Sequence, residues 1–170
     1  MHTLRRITLL LALALPLATQ AAEDEATAHR LFHLERNKNA NIVVYDAQVL
    51  TDGNLTEKDP VVVYWLKLAE DGERKKLKGI EKRLAYGFKV EGRDDNRVTL
   101  KMKADIGRNI VVEAVEDTYR AFIEIDGHEA LLEKIFVFAN EGGILPTVEY
   151  IELFGIDVET GAEVYEKILP

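Results

Sequence analysis

The chain has no cysteine and no serine in 170 residues. Without cysteine there is no disulfide, no thiolate nucleophile and no site for a lipid anchor at a processed N-terminus. Without serine there is no Gly-x-Ser-x-Gly elbow, so hydrolysis of the serine or cysteine type is excluded. Proline is scarce, at four, and Pro60 and Pro146 stand where strands begin, the place a missing amide costs least. There is a single tryptophan, no internal repeat, and no glycine loop leading into a helix that could cradle a phosphate.

What is present begins with a leader. Arg5 and Arg6 precede an apolar run from Ile7 to Leu17, then small residues ending at Thr19-Gln20-Ala21. This is the three-part plan of a secretory signal peptide, and the apolar run is well short of the ~20 residues that span a bilayer. Cleavage after Ala21 is expected, giving a periplasmic or secreted protein with no remaining membrane span. Cleavage leaves 149 residues, the size of one domain. It removes two arginines and no acid, so the formal charge goes from -8 to -10. An acidic balance of that size argues against nucleic acid and against anionic membranes as partners.

Residues 22–28, with Glu23, Asp24 and Glu25, read as a disordered acidic lead, and a single domain is expected over 29–170. The densest β-forming run is Pro60 to Leu68, holding Tyr64 and Trp65. Both its faces are largely apolar, which predicts a central strand covered on both sides. Strands are also expected at Arg30–Arg36, with Phe32 and Leu34 buried, and at Asn41–Leu50, with Val43, Tyr45, Ala47 and Val49 on one face. The period changes at Leu77, Ile80 and Leu84, whose spacing predicts a short helix from about Lys75 to Ala85, ended by Gly87 and covering an open end of the sheet. Alternation then returns through Tyr86–Glu91, Val98–Lys103, Ile110–Val115, Tyr119–Ile125, Glu129–Phe138, Val148–Val158 and Glu163–Ile168. Turns fall at Gly92–Asn96, Asp126-Gly127 and Glu141-Gly142-Gly143. The expected fold is all-β, a mainly antiparallel meander of about nine strands with one short helix, closing as a barrel rather than splitting into a sandwich.

Four stretches carry a resemblance. They are Glu35-Arg36-Asn37-Lys38-Asn39-Ala40-Asn41 with Tyr45-Asp46-Ala47, Pro60 to Leu68, Leu84-Ala85-Tyr86-Gly87-Phe88-Lys89-Val90, and Val148-Glu149-Tyr150-Ile151-Glu152-Leu153. In this order and spacing the chain resembles a bacterial family known only as a domain of unknown function, DUF4833. The resemblance implies an exported bacterial protein and brings no activity or functional residues with it.

Chemistry must therefore be sought in the residues themselves. His29 and His33 are four apart, which would set them on one face of a helix, but the alternation there reads as strand and fixes the direction of His33 alone, and His128 belongs to a hairpin turn. Asp94-Asp95-Asn96 lacks the glycine and closing glutamate of a calcium loop. Glu149 with Glu152, or Glu124 with Asp126, are nominal acid/base pairs among 30 acids, most of them pointing outward. No catalytic residue, metal ligand or cofactor is singled out. The set that strand pairing could gather around a cavity is Arg36, Asn39, Asn41, Tyr45, Tyr64, Trp65, Arg83, Tyr86 and Tyr150, with Phe88 and Phe136 beside them. Aromatic walls with a few amide and guanidinium donors suit a small ligand. The plain alternative is core packing, with the arginines covering surface acids. The leading reading is an exported β-barrel that binds a small molecule or an envelope component without covalent chemistry. The alternatives are a carboxylate-dependent enzyme acting on envelope material, and a module that docks a partner on a sheet edge.

Overall fold

The computed structural model describes residues 27–94, 96–104, 106–140 and 147–169. The leader, most of the acidic lead, Asp95 of the Gly92–Asn96 turn, the turn at 141–143 and Pro146 lie outside the described residues. Among the described residues there are eleven strands: β1 (Thr27–Arg36), β2 (Ile42–Val49), β3 (Val61–Lys67), β4 (Glu73–Lys76), β5 (Phe88–Asp94), β6 (Arg97–Met102), β7 (Ile110–Val115), β8 (Thr118–Ile125), β9 (His128–Asn140), β10 (Thr147–Asp157) and β11 (Glu163–Ile168). One helical turn, α1 (Gly79–Glu81), runs directly into a π-helical turn at Lys82–Tyr86. Among the described residues no helix is long and apolar enough to cross a membrane.

All eleven strands belong to one curled sheet that forms a half-barrel, in the order β4-β3-β2-β1-β9-β8-β7-β6-β5, with β10 and β11 added on the far side of β9. The pairing is antiparallel except between β1 and β9. The all-β, curled and mainly antiparallel expectation holds, with closure stopping at half a barrel.

The organising strand is β9, and the expectation that Pro60–Leu68 lies at the centre is corrected. β3 is one strand from the edge, because the charged strand β4, Glu73-Arg74-Lys75-Lys76, adds beyond it. β9 is long enough to hold three partners. Its first half pairs with β8, its second half with β1, and β10 runs along its other side. Two wings therefore diverge from one strand, and their inner faces share the core. β1 to β3 supply Phe32, Leu34, Val43, Tyr45, Ala47, Val49, Val61 and Val63. The other wing supplies Val98, Leu100, Ile110, Val112, Tyr119, Ala121, Ile123 and Ile125.

A register shift marks the handover on β9. Phe154 of β10 lies opposite Lys134, but the next residue, Gly155, lies opposite Leu132, so Glu133 is an extra residue in β9. The bulge switches the buried set from Ala130 and Leu132 to Ile135, Val137 and Ala139. β1 has a matching irregularity between Arg30 and Phe32, leaving Leu31 as its extra residue. Gly155 meets the bend from β10. A Cβ there would stand 2.5 Å from the Leu131 carbonyl oxygen and 2.9 Å from Ile125 Cδ1, so only glycine lets β10 approach this closely. At the Asp126-Gly127 hairpin both turn residues have positive φ, 51° and 81°, as the type I′ connection requires.

The open side of the half-barrel is tied at both ends of β5. At one end the Arg93 guanidinium donates to three carbonyls of the β2–β3 loop, those of Leu55, Thr56 and Glu57, at 3.0–3.1 Å. At the other end the Tyr45 hydroxyl donates to the Tyr86 carbonyl at 2.7 Å, Lys103 N–H donates to the Gly87 carbonyl, and Trp65 packs edge-on against Tyr86. The helical expectation is also corrected here. Lys75 and Lys76 lie in β4, and of the three apolar positions only Leu77 is buried, while Ile80 and Leu84 are more than half exposed. Tyr86, one turn later, is the residue that plugs the core.

Candidate functional site

The nine residues picked from sequence separate into three groups. Six lie at the end of the half-barrel closed by the π-helical turn. Tyr45 is wholly buried, stacked on Phe32 with ring centroids 4.4 Å apart, and spends its hydroxyl on the Tyr86 carbonyl. Burial holds its phenol far above the usual tyrosine range. Tyr86 packs on Trp65, and Arg36 Nη1 approaches the Tyr86 hydroxyl at 3.5 Å. Asn39 and Trp65 line a cleft of about 200 Å³ with Lys67, Lys75, Lys76, Lys78 and Glu81. Asn41, next to Asn39, keeps a buried Oδ1 with no hydrogen-bond partner among the described residues.

The other members lie elsewhere. Arg83 is on the exposed side of the π-helical turn. Tyr64 points to the outer face of the sheet, where its hydroxyl donates to Asp46 at 2.7 Å and the Arg30 guanidinium donates to both, so a buried carboxylate is satisfied from two sides. Burial first, then the Asp46 carboxylate, pushes the Tyr64 phenol upward. Tyr150 is also on the outer face, stacked on Phe138 at 4.8 Å, with Lys167 Nζ 3.5 Å from its ring centroid. Phe136 is 6.4 Å from Tyr150, and Phe88 packs at the edge of the core.

The larger concavity is one the sequence did not single out. Where β1 and β8 part from β9, the outer face opens into a groove of about 880 Å³. The bulged residues Leu31 and Glu133 both line it, because the bulges make the parting possible. Its polar lining is Arg30, His33, Glu35, Arg120, Lys134 and Glu163, and its apolar wall is Phe154 and Tyr165. The two rings are 5.2 Å apart and inclined by 52°. Lys134 is shared between Glu35, at 3.7 Å, and the face of Phe154, at 4.2 Å. His33 meets the same carboxylate at 3.1 Å, and Tyr165 donates to Glu152 at 2.8 Å. Arg120 is exposed and makes no ion pair among the described residues. The groove thus offers charged donors and acceptors of both signs beside a two-ring wall. Its signal in the sequence is parity: Phe154 and Tyr165 occupy outward positions of strands whose inward positions carry the core.

The histidines and carboxylates read for metal or acid/base work fall apart in space. His29 Nδ1 accepts from the Tyr119 amide at 3.3 Å, while His33 turns to Glu35. His128 pairs with Asp157 at 2.7 Å. Glu124, Asp126 and Glu149 are exposed, and Glu152 is held by Tyr165. The carboxyls whose pKa is displaced are all displaced downward: Asp52 by the Asn54 amide, Asp157 by the Thr160 amide and hydroxyl, and Glu166 by the Arg108 fork. A general acid needs the opposite displacement.

No curated protein and no solved structure matches the chain. A family model does, across residues 32–167, from the second half of β1 to β11. That span includes the core, both wings and every strand lining the groove, so the chain belongs to the family described as Domain of unknown function (DUF4833).

Proposed function

We propose that this is an exported, non-catalytic binding domain that takes a small polyhydroxylated molecule, such as a saccharide fragment of the cell envelope, in the groove where the sheet forks. The observation that carries the reading is the groove's composition. Carboxylates and guanidinium or ammonium groups stand side by side there, so hydroxyls find both acceptors and donors, and the Phe154–Tyr165 wall suits the C–H face of a sugar ring. A groove of about 880 Å³ has room for more than one ring. The two-sided charge favours a neutral or zwitterionic ligand over a simple anion. Export rests on the leader ending near Ala21.

Charge on all three edge strands, Glu73–Lys76, Lys89–Asp94 and Glu163–Lys167, disfavours docking of an extended partner by strand addition.

Native mass spectrometry of the chain, purified gently from the compartment that receives it, tests the reading. A reproducible adduct of saccharide mass is expected, lost in the Arg120→Ala/Lys134→Ala double variant. A bare chain, or an adduct indifferent to that variant, overturns the proposal.

A further inference from the structure

The charge of this acidic chain is unevenly spread. Between Arg74 and Arg83 it carries Arg74, Lys75, Lys76, Lys78, Lys82 and Arg83 against one acid, Glu81. Strand pairing and the short helical segment bring them to one end of the molecule. β4 supplies Arg74 to Lys76 along the free edge of the sheet, and Lys78 to Arg83 follow in α1 and the π-helical turn. All six are exposed. Arg74 lies over the Tyr64 ring, and among the described residues the other five make no ion pair. Glu81 is itself occupied, accepting from the Lys78 amide. These cations have not been placed to neutralise acids of their own chain.

Among these cations in the chain are two large apolar side chains. Ile80 and Leu84, four residues apart and so on one side of the helical segment, are 56% and 57% exposed. Leu77 just before the helical segment and Tyr86 at its end are buried, and Ile80 and Leu84 between them are left outside. Leu68, 53% exposed, adjoins Lys67 of the same cleft. Apolar tips with lysine and arginine before and between them along the chain match a surface with an apolar interior and an anionic skin.

We propose that this end of the half-barrel docks on an anionic phospholipid surface, with Ile80 and Leu84 entering the headgroup boundary and Lys75, Lys76, Lys78, Lys82 and Arg83 facing lipid phosphates. The formal charge, -8 or -10 once the leader is removed, does not oppose this, because charges more than a screening length of ~8 Å from the contact are largely screened and the acids nearest in sequence, Asp71, Glu73 and Glu81, are outnumbered by the six cations. The groove at the fork is formed by other strands and stays open to a ligand.

Vesicle flotation tests the proposal. The full chain is purified after export, its N-terminus read by mass spectrometry, and mixed with vesicles of phosphatidylcholine alone or with one third phosphatidylglycerol. Binding is expected only to the anionic vesicles, falling at least tenfold between low salt and ~0.5 M salt as screening shortens. Ile80→Gln/Leu84→Gln and Lys75→Gln/Lys76→Gln/Lys78→Gln should each weaken it at least tenfold, with melting temperatures unchanged because all five side chains are exposed. Lys58→Gln/Arg97→Gln, exposed cations at the opposite end of β5, should bind as the parent does. No binding to anionic vesicles, binding indifferent to the two target variants, or a dimer in sedimentation that Ile80→Gln/Leu84→Gln abolishes would each overturn the lipid assignment.

Discussion

Tyr45→Phe separates the two roles that the sequence leaves open for Tyr45, ligand contact or core strut. The hydroxyl donates at 2.7 Å to the Tyr86 carbonyl, inside the core, at the point where the π-helical turn ends. Removing it keeps the ring stacked on Phe32 and strands the carbonyl without its donor. A buried acceptor left unpaired costs about 1–3 kcal/mol. With a urea slope of about 2 kcal/mol/M, the unfolding midpoint should fall by about 0.5–1.5 M. Tyr165→Phe is the control, since that hydroxyl is exposed and its loss should leave the midpoint in place. A Tyr45→Phe midpoint within about 0.2 M of the parent would refute the strut, because a cost below the handful of tenths expected for surface changes is incompatible with a stranded buried carbonyl.

Titration supplies a second arm with a defined sign. The folded state holds the Tyr45 phenol protonated, above the unfolded value of about 10. A raised folded pKa contributes stability that is full below the unfolded pKa and declines as pH rises beyond it. The parent should therefore lose stability above pH ~10 more steeply than Tyr45→Phe, measured by urea titration at pH 8 to 11.

Gly155→Ala should cost at least about 2 kcal/mol in the same assay, since the new methyl meets a β9 carbonyl that cannot yield without breaking the β9–β10 ladder. Arg93→Ala should cost about 1 kcal/mol, the exposed guanidinium being discounted for screening, and should speed amide exchange in the β2–β3 loop, whose three carbonyls it holds. Glu166 is held below the usual carboxylate range by the Arg108 fork and then by the Asp126 amide, so its contribution is present above the unfolded pKa of about 4.3 and lost as pH falls through the folded value. Glu166→Gln should flatten the stability profile below pH ~4.5, and an unchanged acid limb would remove Glu166 from the account.

The strands were legible because each has one face in the core. Phe32 and Leu34, or Val43, Tyr45, Ala47 and Val49, are buried where alternation puts them. The hub was not legible, because a strand's partners depend on length and curvature rather than composition. Pro60–Leu68 is richer in β-formers, but β9 is 13 residues long and bulged, and only such a strand can hold β8 and β1 end to end on one side. The one short helix is present and ends at Gly87 as its sequence predicts, but its start and its buried face were not legible, for a related reason. Leu77, Ile80 and Leu84 fit a helical period, yet Lys75 and Lys76 were captured by the free edge of β3, and a helix shortened from its N-terminus cannot turn all three inward.

The same geometry decides how much of the candidate site could be read. The aromatic set that strand pairing could gather runs from Tyr45 to Tyr150, and Trp65, Tyr86 and Tyr45 do meet, but mainly to seal the core. The groove is assembled from positions a hundred residues apart, such as Arg30, Lys134 and Tyr165, and exists only because two bulges let β1 and β8 part from β9. A bulge has no composition of its own: Leu31 and Glu133 look like any other strand residues. What the sequence does contain is the parity error each bulge leaves behind. Along β9 the apolar set runs Ala130, Leu132, then Ile135, Val137, Ala139, and a strand that changes parity without a turn must bulge between. In a sheet whose inner face is already filled by the core, such a parity change is where the outer face opens, so it is the feature that marks the groove in this chain.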